Sequence, residues 1–428
     1  MFVIMKRLLA SLLWSVTFVL ALVLLATPDH IAAADSFEVR LSVVASAQRF
    51  DLVNWIIGAF AAKVQDKVLR PADGLSESQR SALIERYFTL ARAEEELRAQ
   101  IIQRRAQSAP STDLASLEAQ RAAKRAEKLT IERSAETVIA ERVERAAQAE
   151  GLAQDLPFNP QLIVPPVEFK YVTPPLLLVM SPHDTIEQKR TVHLLADMTI
   201  SEIEATEAAA DQLGFVSLIV PIGGVGTYPT MVLENSSYDI SLEIVSHEWT
   251  HNYLDVRPLG MHYSDRGNNG AMTSVNETTA NIVGHELANR VRGLPPPTYE
   301  NEPEPPPRRT QPNQPPEFDF NQEMRITRLY VDVLLKEGNI AEAETYMETR
   351  RQLFVAHGYA LRKLNQAYFA FYGSYADGGV GTVNPIGGEL KRLRKTSGSL
   401  KAYLDAISQI SSFEEYRALL KAKGVAEG

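Results

Sequence analysis

Two long stretches of helix-favouring residues constrain the fold of this chain more than any other feature of its sequence. Residues 77–107 and 114–150 are rich in Ala, Leu, Glu, Arg and Gln, side chains that favour helices. The short segment Ser108–Ser111, which contains Pro110, interrupts them. Two long helices joined by such a turn predict a helical hairpin. Its apolar residues follow a heptad only in patches, which favours a solvated arm over the alternative of a coiled-coil dimer.

The N-terminus carries an uncharged apolar run from Leu8 to Ala26, directly after the basic pair Lys6-Arg7. Its length is about right for a helix that crosses ~30 Å of hydrocarbon. With the basic pair in the cytoplasm, residues 1–34 are expected to be a single-pass membrane anchor, and the rest of the chain to lie outside the cytoplasm. The alternative is a cleavable signal peptide and a secreted protein, because residues 32–34 offer a small-x-small cleavage site.

The composition excludes some classes of partner and of metal site. The formal net charge of −9 argues against a broad phosphate-binding surface, so nucleic acid is not an expected partner. The chain has no cysteine, which rules out disulfides, thiolate ligands and cysteine nucleophiles. Any metal ion must therefore be held by His, Asp or Glu.

Past Gly151 the sequence changes to short apolar runs separated by prolines, which predicts strands. The expected strands are Leu176–Met180, Val192–Leu195, Phe215–Val220 and Pro229–Leu233. Because the last of these begins with proline, it is expected at the edge of a sheet. Two helices follow, at about 238–254 and 275–292, and the C-terminal region is also helical.

This order of elements predicts an α+β protein in which the sheet is small and mixed. The expected parts are a helical region with the hairpin, a core with the sheet, a Pro-rich linker and a C-terminal helical domain. Their predicted boundaries after the N-terminal segment are 35–155, 156–294, 295–320 and 321–428.

The segment His247-Glu248-Trp249-Thr250-His251 carries a pattern of chemical significance on the first of those two helices. Histidines four residues apart lie one above the other on one helix face, so both imidazoles can reach a single ion. Zinc suits neutral imidazole nitrogens and tolerates an open fourth position. Glu248, directly after the first ligand, is placed to take a proton from a water that zinc has acidified.

A third ligand is expected from the following helix. Glu277 lies near the predicted start of that helix, and a helix–loop–helix turn would bring it opposite His247 and His251. The alternative is a first-turn glutamate that serves a helix N-terminus, because Ser274 lies three residues before it. The preceding histidine pair favours the ligand, which makes one Zn²⁺ the expected cofactor.

The HExxH segment followed by Asn276-Glu277 resembles the gluzincin metallopeptidases, the group of thermolysin and the aminopeptidase N relatives. The resemblance is specific over residues 247–281 and looser back to about residue 168. It implies a zincin-like catalytic core, a zinc-dependent peptidase activity and a peptide or protein substrate. It also implies that the Pro229–Leu233 edge aligns the substrate by strand addition.

Other roles are expected by comparison with that group. In thermolysin-like proteins an aspartate four residues after the glutamate ligand orients the first histidine. Here that position is Asn281, and Glu286 is an alternative orienting group. For stabilising the oxyanion opposite the zinc, Tyr372 is a candidate and His262 a second one, with core packing the alternative for the tyrosine.

The sequence therefore predicts two alternative functions. The first is a membrane-associated zinc metallopeptidase, a hydrolase in which Glu248 is the general base. The second is a non-catalytic helical scaffold of the cell envelope that retains a vestigial zinc site. A hydrolase that acts on a peptidoglycan peptide is a further variant of the first, and the sequence leaves the choice open.

Overall fold

The computed structural model describes residues 37–106, 111–156, 159–261, 270–299, 318–373 and 385–425. The prediction of a single-pass membrane protein with a signal anchor is corrected: across these ranges, no helix has both the length and the apolar content needed to cross a bilayer. The run from Leu8 to Ala26, on which that prediction relied, lies outside them, as does most of the Pro-rich segment.

The N-terminal part of the described chain is helical and includes the predicted hairpin. Its helices are α1 (Phe37–Ala45), α2 (Leu52–Leu69), α3 (Glu77–Ala106) and α4 (Ser111–Ala149). Helices α3 and α4 pack against each other, and at about 1.5 Å per residue α4 is about 58 Å long. The hairpin is therefore confirmed.

A buried ionic cluster joins the hairpin to the rest of the protein. The ammonium of Lys128 lies 2.8 Å from Glu94 Oε2 and 3.1 Å from Glu234 Oε2, and the side chains of Lys128 and Glu94 are both 0% exposed. A buried charge is tolerated only with such partners. Because Glu234 follows a strand of the core, this cluster fixes the hairpin to the sheet region.

Within the described ranges, the strands form three small sheets. They are β1 (Gln154–Leu156), β2 (Asn159–Leu162), β3 (Phe169–Val172), β4 (Leu176–Ser181), β5 (Arg190–Leu194), β6 (Val216–Pro221), β7 (Gly224–Val225) and β8 (Thr230–Leu233), with helix α5 (Ile200–Asp211) between β5 and β6. Strands β1 and β2 pair antiparallel, and β4 is the centre of an antiparallel sheet ordered β5-β4-β6. The third sheet, ordered β3-β8-β7, is mixed, because β8 runs parallel to β3 and antiparallel to β7. The α+β class and the small mixed sheet are confirmed.

The position predicted for the segment Pro229–Leu233 is wrong. Strand β8 lies in the middle of its sheet, with Phe169 of β3 opposite Thr230 on one side and Val225 of β7 opposite Met231 on the other. Pro229 directly precedes the strand, so its missing amide hydrogen costs no ladder hydrogen bond. The outer strand on this side of the sheet is the short β7.

Three helices follow the mixed sheet: α6 (Tyr238–Asp255), α7 (Pro258–Met261) and α8 (Ala271–Arg292). Helix α6 begins at an N-cap serine, Ser237, whose hydroxyl accepts a hydrogen bond from the amide of Ile240. Its buried face carries Trp249, whose indole N–H donates to the carbonyl of Pro165 at 2.9 Å. Helix α8 ends at Gly293, which has a φ of 70°, a left-handed conformation that glycine adopts readily. Helices α6 and α8 pack against each other and against α4 of the hairpin, with which they share a core.

The C-terminal helices pack on two different surfaces. They are α9 (Phe320–Lys336), α10 (Ile340–Ala356), α11 (Gln366–Tyr372), α12 (Ile386–Thr396), α13 (Leu400–Ile407) and α14 (Phe413–Ala422). The first three share a core with β4 and β6, through Val179, Leu218 and Phe369. The last three share the core of α6 and α8, through Leu390 and Tyr403. The C-terminal region thus supports both the sheet and the helix pair.

Candidate metal centre

Helix α6 places its two histidines side by side. The Nε2 atoms of His247 and His251 are 3.0 Å apart, and their rings are 4.7 Å apart at an angle of 79°. This follows from the four-residue spacing, which puts both side chains on one helix face. The predicted convergence of the two imidazoles is therefore present.

Helix α8 brings Glu277 to the same point. Its Oε2 lies 3.5 Å from Nε2 of His247 and 3.6 Å from Nε2 of His251. The three side chains form a group whose ligand atoms all lie within 4.8 Å of one another. Glu277 is 5% exposed, so its carboxylate is turned into the protein and not to bulk water.

The spacing of these three atoms fits a zinc ion. Tetrahedral zinc with bonds of about 2.0–2.2 Å separates its ligand atoms by about 3.3–3.5 Å. The observed separations are 3.0, 3.5 and 3.6 Å. Two neutral imidazoles and one carboxylate are also the donor set of catalytic zinc sites that keep a fourth position open. Both the geometry and the chemistry of the group therefore suit one Zn²⁺.

Asn276 orients the second histidine. The Nδ1–H of His251 donates to Oδ1 of Asn276 at 2.8 Å, which leaves the lone pair of Nε2 directed at the metal position. Asn276 is 1% exposed, so its amide is held in place. The sequence resemblance included this residue only as the neighbour of Glu277, and its orienting role emerges from the structure.

His251 and Glu277 stabilise each other's charged forms. Burial alone would lower the pKa of His251, but the charge and hydrogen bonding of Glu277 outweigh burial and raise that pKa to about 9. Burial alone would raise the pKa of Glu277, but His251 and His247 hold it well below its usual range. In the metal-free protein, a protonated His251 therefore faces an ionised Glu277.

Glu248 faces the outer strand β7 across a gap that glycine keeps open. A Cβ built on Gly224 would lie 2.6 Å from Oε1 of Glu248 and 2.9 Å from the carbonyl oxygen of Met231. A side chain at Gly224 would therefore displace the carboxylate or the strand. Glu248 is buried, and burial raises the pKa of its carboxyl group, which makes the carboxylate a stronger base.

These residues line a cavity of about 620 Å³. Its wall includes the whole turn from Ile222 to Thr227, the face of α6, Gly284 and Asn281 of α8, and residues of β4 and β5. Away from the metal group the wall is mixed: its apolar side chains are Leu52, Leu177, Ile222, Ile240, Ile244 and Phe371, and its polar side chains include Gln188, Thr191 and Glu243. No lysine or arginine is among the described residues of the wall. The cavity has room for a peptide segment beside the metal position.

The structure places the other predicted site residues as follows. Asn281 lines the cavity, as its expected orienting role requires, and that role remains a prediction. Glu286 instead accepts hydrogen bonds from Arg394 at 2.8 Å and from Tyr299 at 2.8 Å, so its carboxylate ties α12 to α8. Tyr372 packs on Tyr368 in the aromatic core, whereas the side chain of α11 that lines the cavity is Phe371. His262 lies outside the described residues.

Three further cavity residues are not among the predicted site residues. His193, on β5, lines the wall, and burial lowers the pKa of its imidazole. His285 lines it as well and approaches Glu243, with 3.6 Å between Nδ1 and Oε2. Asp255, the last residue of α6, is the third, and burial raises the pKa of its carboxyl group to about 6. The packing of distant elements brings these groups together, and only Asp255 lies at a helical spacing from the histidine pair.

Comparison with known proteins gave no relatives: no family model, no curated protein and no solved structure matches this chain.

Proposed function

We propose that this protein is a zinc-dependent metallopeptidase that hydrolyses peptide bonds in the cavity beside α6. The observation that carries the proposal is the meeting of His247, His251 and Glu277 at one point, with Glu248 buried in the same cavity. The first three would hold the ion, and Asn276 would hold His251 in the ligating orientation. The arrangement supports a zincin-like core of the gluzincin type as part of the proposal.

Strand β7 is the element that would align a peptide in the cavity. One of its edges pairs with β8, and residues Gly223 to Thr227 line the cavity wall. An extended peptide can add to such an edge through main-chain hydrogen bonds. Strand β7 thus takes the role that the sequence resemblance assigned to Pro229–Leu233.

Glu248 would move the proton of the reaction. A bound Zn²⁺ would polarise the scissile carbonyl and lower the pKa of a water molecule in the cavity. The Glu248 carboxylate takes a proton from that water as the water oxygen forms a bond to the carbonyl carbon. The same carboxyl group then delivers the proton to the leaving amine nitrogen as the C–N bond breaks.

The test uses Glu248→Gln, which keeps the size of the side chain and removes the base. We expect stoichiometric zinc in both proteins, and a rate on a broad peptide library that falls at least about 100-fold in the variant. Glu96→Gln, an exposed position on the hairpin, is the matched control and should cleave like the wild type.

Two outcomes would reject the proposal. Full activity of Glu248→Gln would remove the general base from the mechanism. A zinc-loaded wild-type protein that cleaves no member of the library would instead favour the scaffold with a vestigial metal site.

A further inference from the structure

Asp255 is the carboxylate of the cavity that the proposed reaction does not use. It lies one helical turn beyond His251 on α6 and lines the cavity wall. Within the part of the chain that the structure describes, it makes no hydrogen bond and no ion pair. Its electrostatic neighbours are His251 and Glu248; the imidazole of His251 is neutral when it binds a metal ion, and Glu248 is a second carboxylate, so neither of these side chains then supplies a cation.

The other carboxylates of the cavity already have roles or partners. Glu277 faces the histidine pair, and Glu248 is the proposed base. Glu243 is paired with Arg292, with 3.2 Å between Oε1 and Nη2. Among the described wall residues none is a lysine or arginine that could neutralise Asp255.

A partly buried carboxylate without a cation favours a ligand that supplies one. Burial of an unpaired charge is costly, and a hydrogen-bonded cation offsets that cost. Asp255 is also the last residue of α6, where the free carbonyls of a helix end add partial negative charge. Both effects act in the same direction and favour an ammonium or guanidinium group at this end of the cavity.

The position of Asp255 along the peptide track follows from how β7 lies on α6. A Cβ on Gly223 would approach Ile244 at 3.6 Å, and one on Gly226 would approach His251 at 3.1 Å, so the strand and the helix run in the same direction. A peptide paired antiparallel with β7, the more stable arrangement, would direct its amino-terminal side toward Asp255. The four residues from His251 to Asp255 rise about 6 Å along the helix, which is roughly two residues of extended chain.

We infer that Asp255 is a specificity subsite for a cationic group located within about two residues on the amino-terminal side of the cleaved bond. The group is either the free α-ammonium of a peptide or the side chain of a lysine or arginine. This inference rests on the proposed peptidase function and specifies the substrates of the same site.

The experiment compares matched peptides with the zinc-loaded wild type, Asp255→Asn and the control Asp239→Asn, which changes an exposed carboxylate on the same helix. One pair of peptides differs only in a free or an acetylated N-terminus. The second pair is acetylated and carries Lys or Gln two residues before the cleaved bond. The readout is the ratio of kcat/KM for the cationic peptide to that for the neutral one, together with zinc content and thermal unfolding.

We expect a ratio of about 10 to 100 in one of the two pairs for the wild type and for Asp239→Asn, the range for a hydrogen bond to a charged group. The ratio should fall to near one in Asp255→Asn. Preference in the first pair assigns the terminal ammonium, and preference in the second assigns the basic side chain. Zinc-loaded Glu248→Gln provides a binding readout on the same peptides, free of catalysis, and its dissociation constants should show the same preference.

A wild-type ratio near one in both pairs, or a ratio that persists in Asp255→Asn, would overturn the inference while peptide cleavage itself stands. Absence of cleavage and of binding for every peptide would remove the proposed function, and the inference with it.

Discussion

Gly284 of α8 lies directly against His247 of α6. A Cβ built on this glycine would lie 3.2 Å from the Cβ of His247, 3.2 Å from its backbone nitrogen and 3.2 Å from the carbonyl oxygen of Glu243. The two helices therefore meet at backbone distance at this point. Glu277, two turns earlier on α8, reaches the histidine pair because of this close approach.

Gly284→Ala is expected to push the two helices apart. The atoms that a new methyl group would meet are backbone atoms and a Cβ, which have little freedom to move. We expect a loss of about 1–3 kcal/mol in the free energy of unfolding and weaker zinc binding, measured by denaturant titration and by competition with a chelator.

Gly58→Ala is the matched control for that substitution. Gly58 lies within helix α2 and has no atom within 4 Å of a built Cβ. Alanine there should stabilise the protein by about 0.5–1 kcal/mol. Equal changes in the free energy of unfolding for the two substitutions would show that α6 and α8 are not unusually close at Gly284.

Removing the amide that orients His251 should weaken metal binding. Asn276→Ala deletes the acceptor of the Nδ1–H bond, and we expect the dissociation constant for zinc to rise about 10- to 100-fold. Asn276→Asp keeps an acceptor oxygen and should retain tight binding. Wild-type affinity in Asn276→Ala would contradict this role, and Asn281→Ala tests in the same assay whether Asn281 orients His247.

Zinc binding should strengthen as pH rises toward 9. In the metal-free protein the pKa of His251 is raised to about 9, so this imidazole holds a proton at neutral pH that the metal must displace. For one displaced proton, the apparent affinity changes roughly tenfold per pH unit. Competition titrations between pH 6.5 and 8.5 measure the slope, and a pH-independent affinity would contradict the coupling of His251 to Glu277.

The buried cluster near the middle of the hairpin helices predicts a strong dependence of stability on one lysine. Lys128→Met would remove the fully buried cation between Glu94 and Glu234 and leave them only partly exposed arginines such as Arg125, and we expect a loss of about 3 kcal/mol in the free energy of unfolding. Arg86→Met removes an exposed pair with Glu127, whose side chains are 64% and 39% exposed, and should cost under about 1 kcal/mol. Similar losses of unfolding free energy for the two variants, measured by urea titration, would be inconsistent with a buried cluster.

The elements with strong local signals could be predicted from the sequence. The hairpin was expected over 77–107 and 114–150, and its helices span Glu77–Ala106 and Ser111–Ala149, because composition and an interrupting proline are local features. The helix with the histidine pair was expected at about 238–254 and spans Tyr238–Asp255. The four-residue spacing of its histidines brings both imidazoles within reach of one ion on a helix, where residues i and i+4 are neighbours, but not on a strand.

The arrangement of the sheet could not be predicted in the same way. Strand β8 is central because β3, about sixty residues earlier in the chain, pairs with it in parallel, and a local pattern does not reveal such long-range pairing. A proline read as part of the strand suggested an edge, whereas Pro229 lies just outside it. Because β8 is central, the edge of the sheet that the sequence assigned to it is formed instead by β7, which has only two residues.

The site could be predicted as far as its motif extends. Glu277 was expected because an Asn-Glu pair follows the HExxH helix, and its carboxylate lies beside both histidines. Asp255 lies one turn after His251 on the same helix, whereas His193 depends on where β5 meets α6 in the cavity, which no spacing in the sequence encodes. Glu286 was expected near the histidines, but Arg394 from a helix more than one hundred residues later holds its carboxylate.

Anomalous scattering from crystals of the zinc-loaded protein would show whether His247, His251 and Glu277 bind one zinc ion together. Data recorded on both sides of the zinc absorption edge should show a single anomalous peak at about 2.0–2.2 Å from both Nε2 atoms and from a carboxylate oxygen of Glu277. The absence of a peak at this position, or a zinc ion held by other side chains, would rule out these three residues as the zinc ligands.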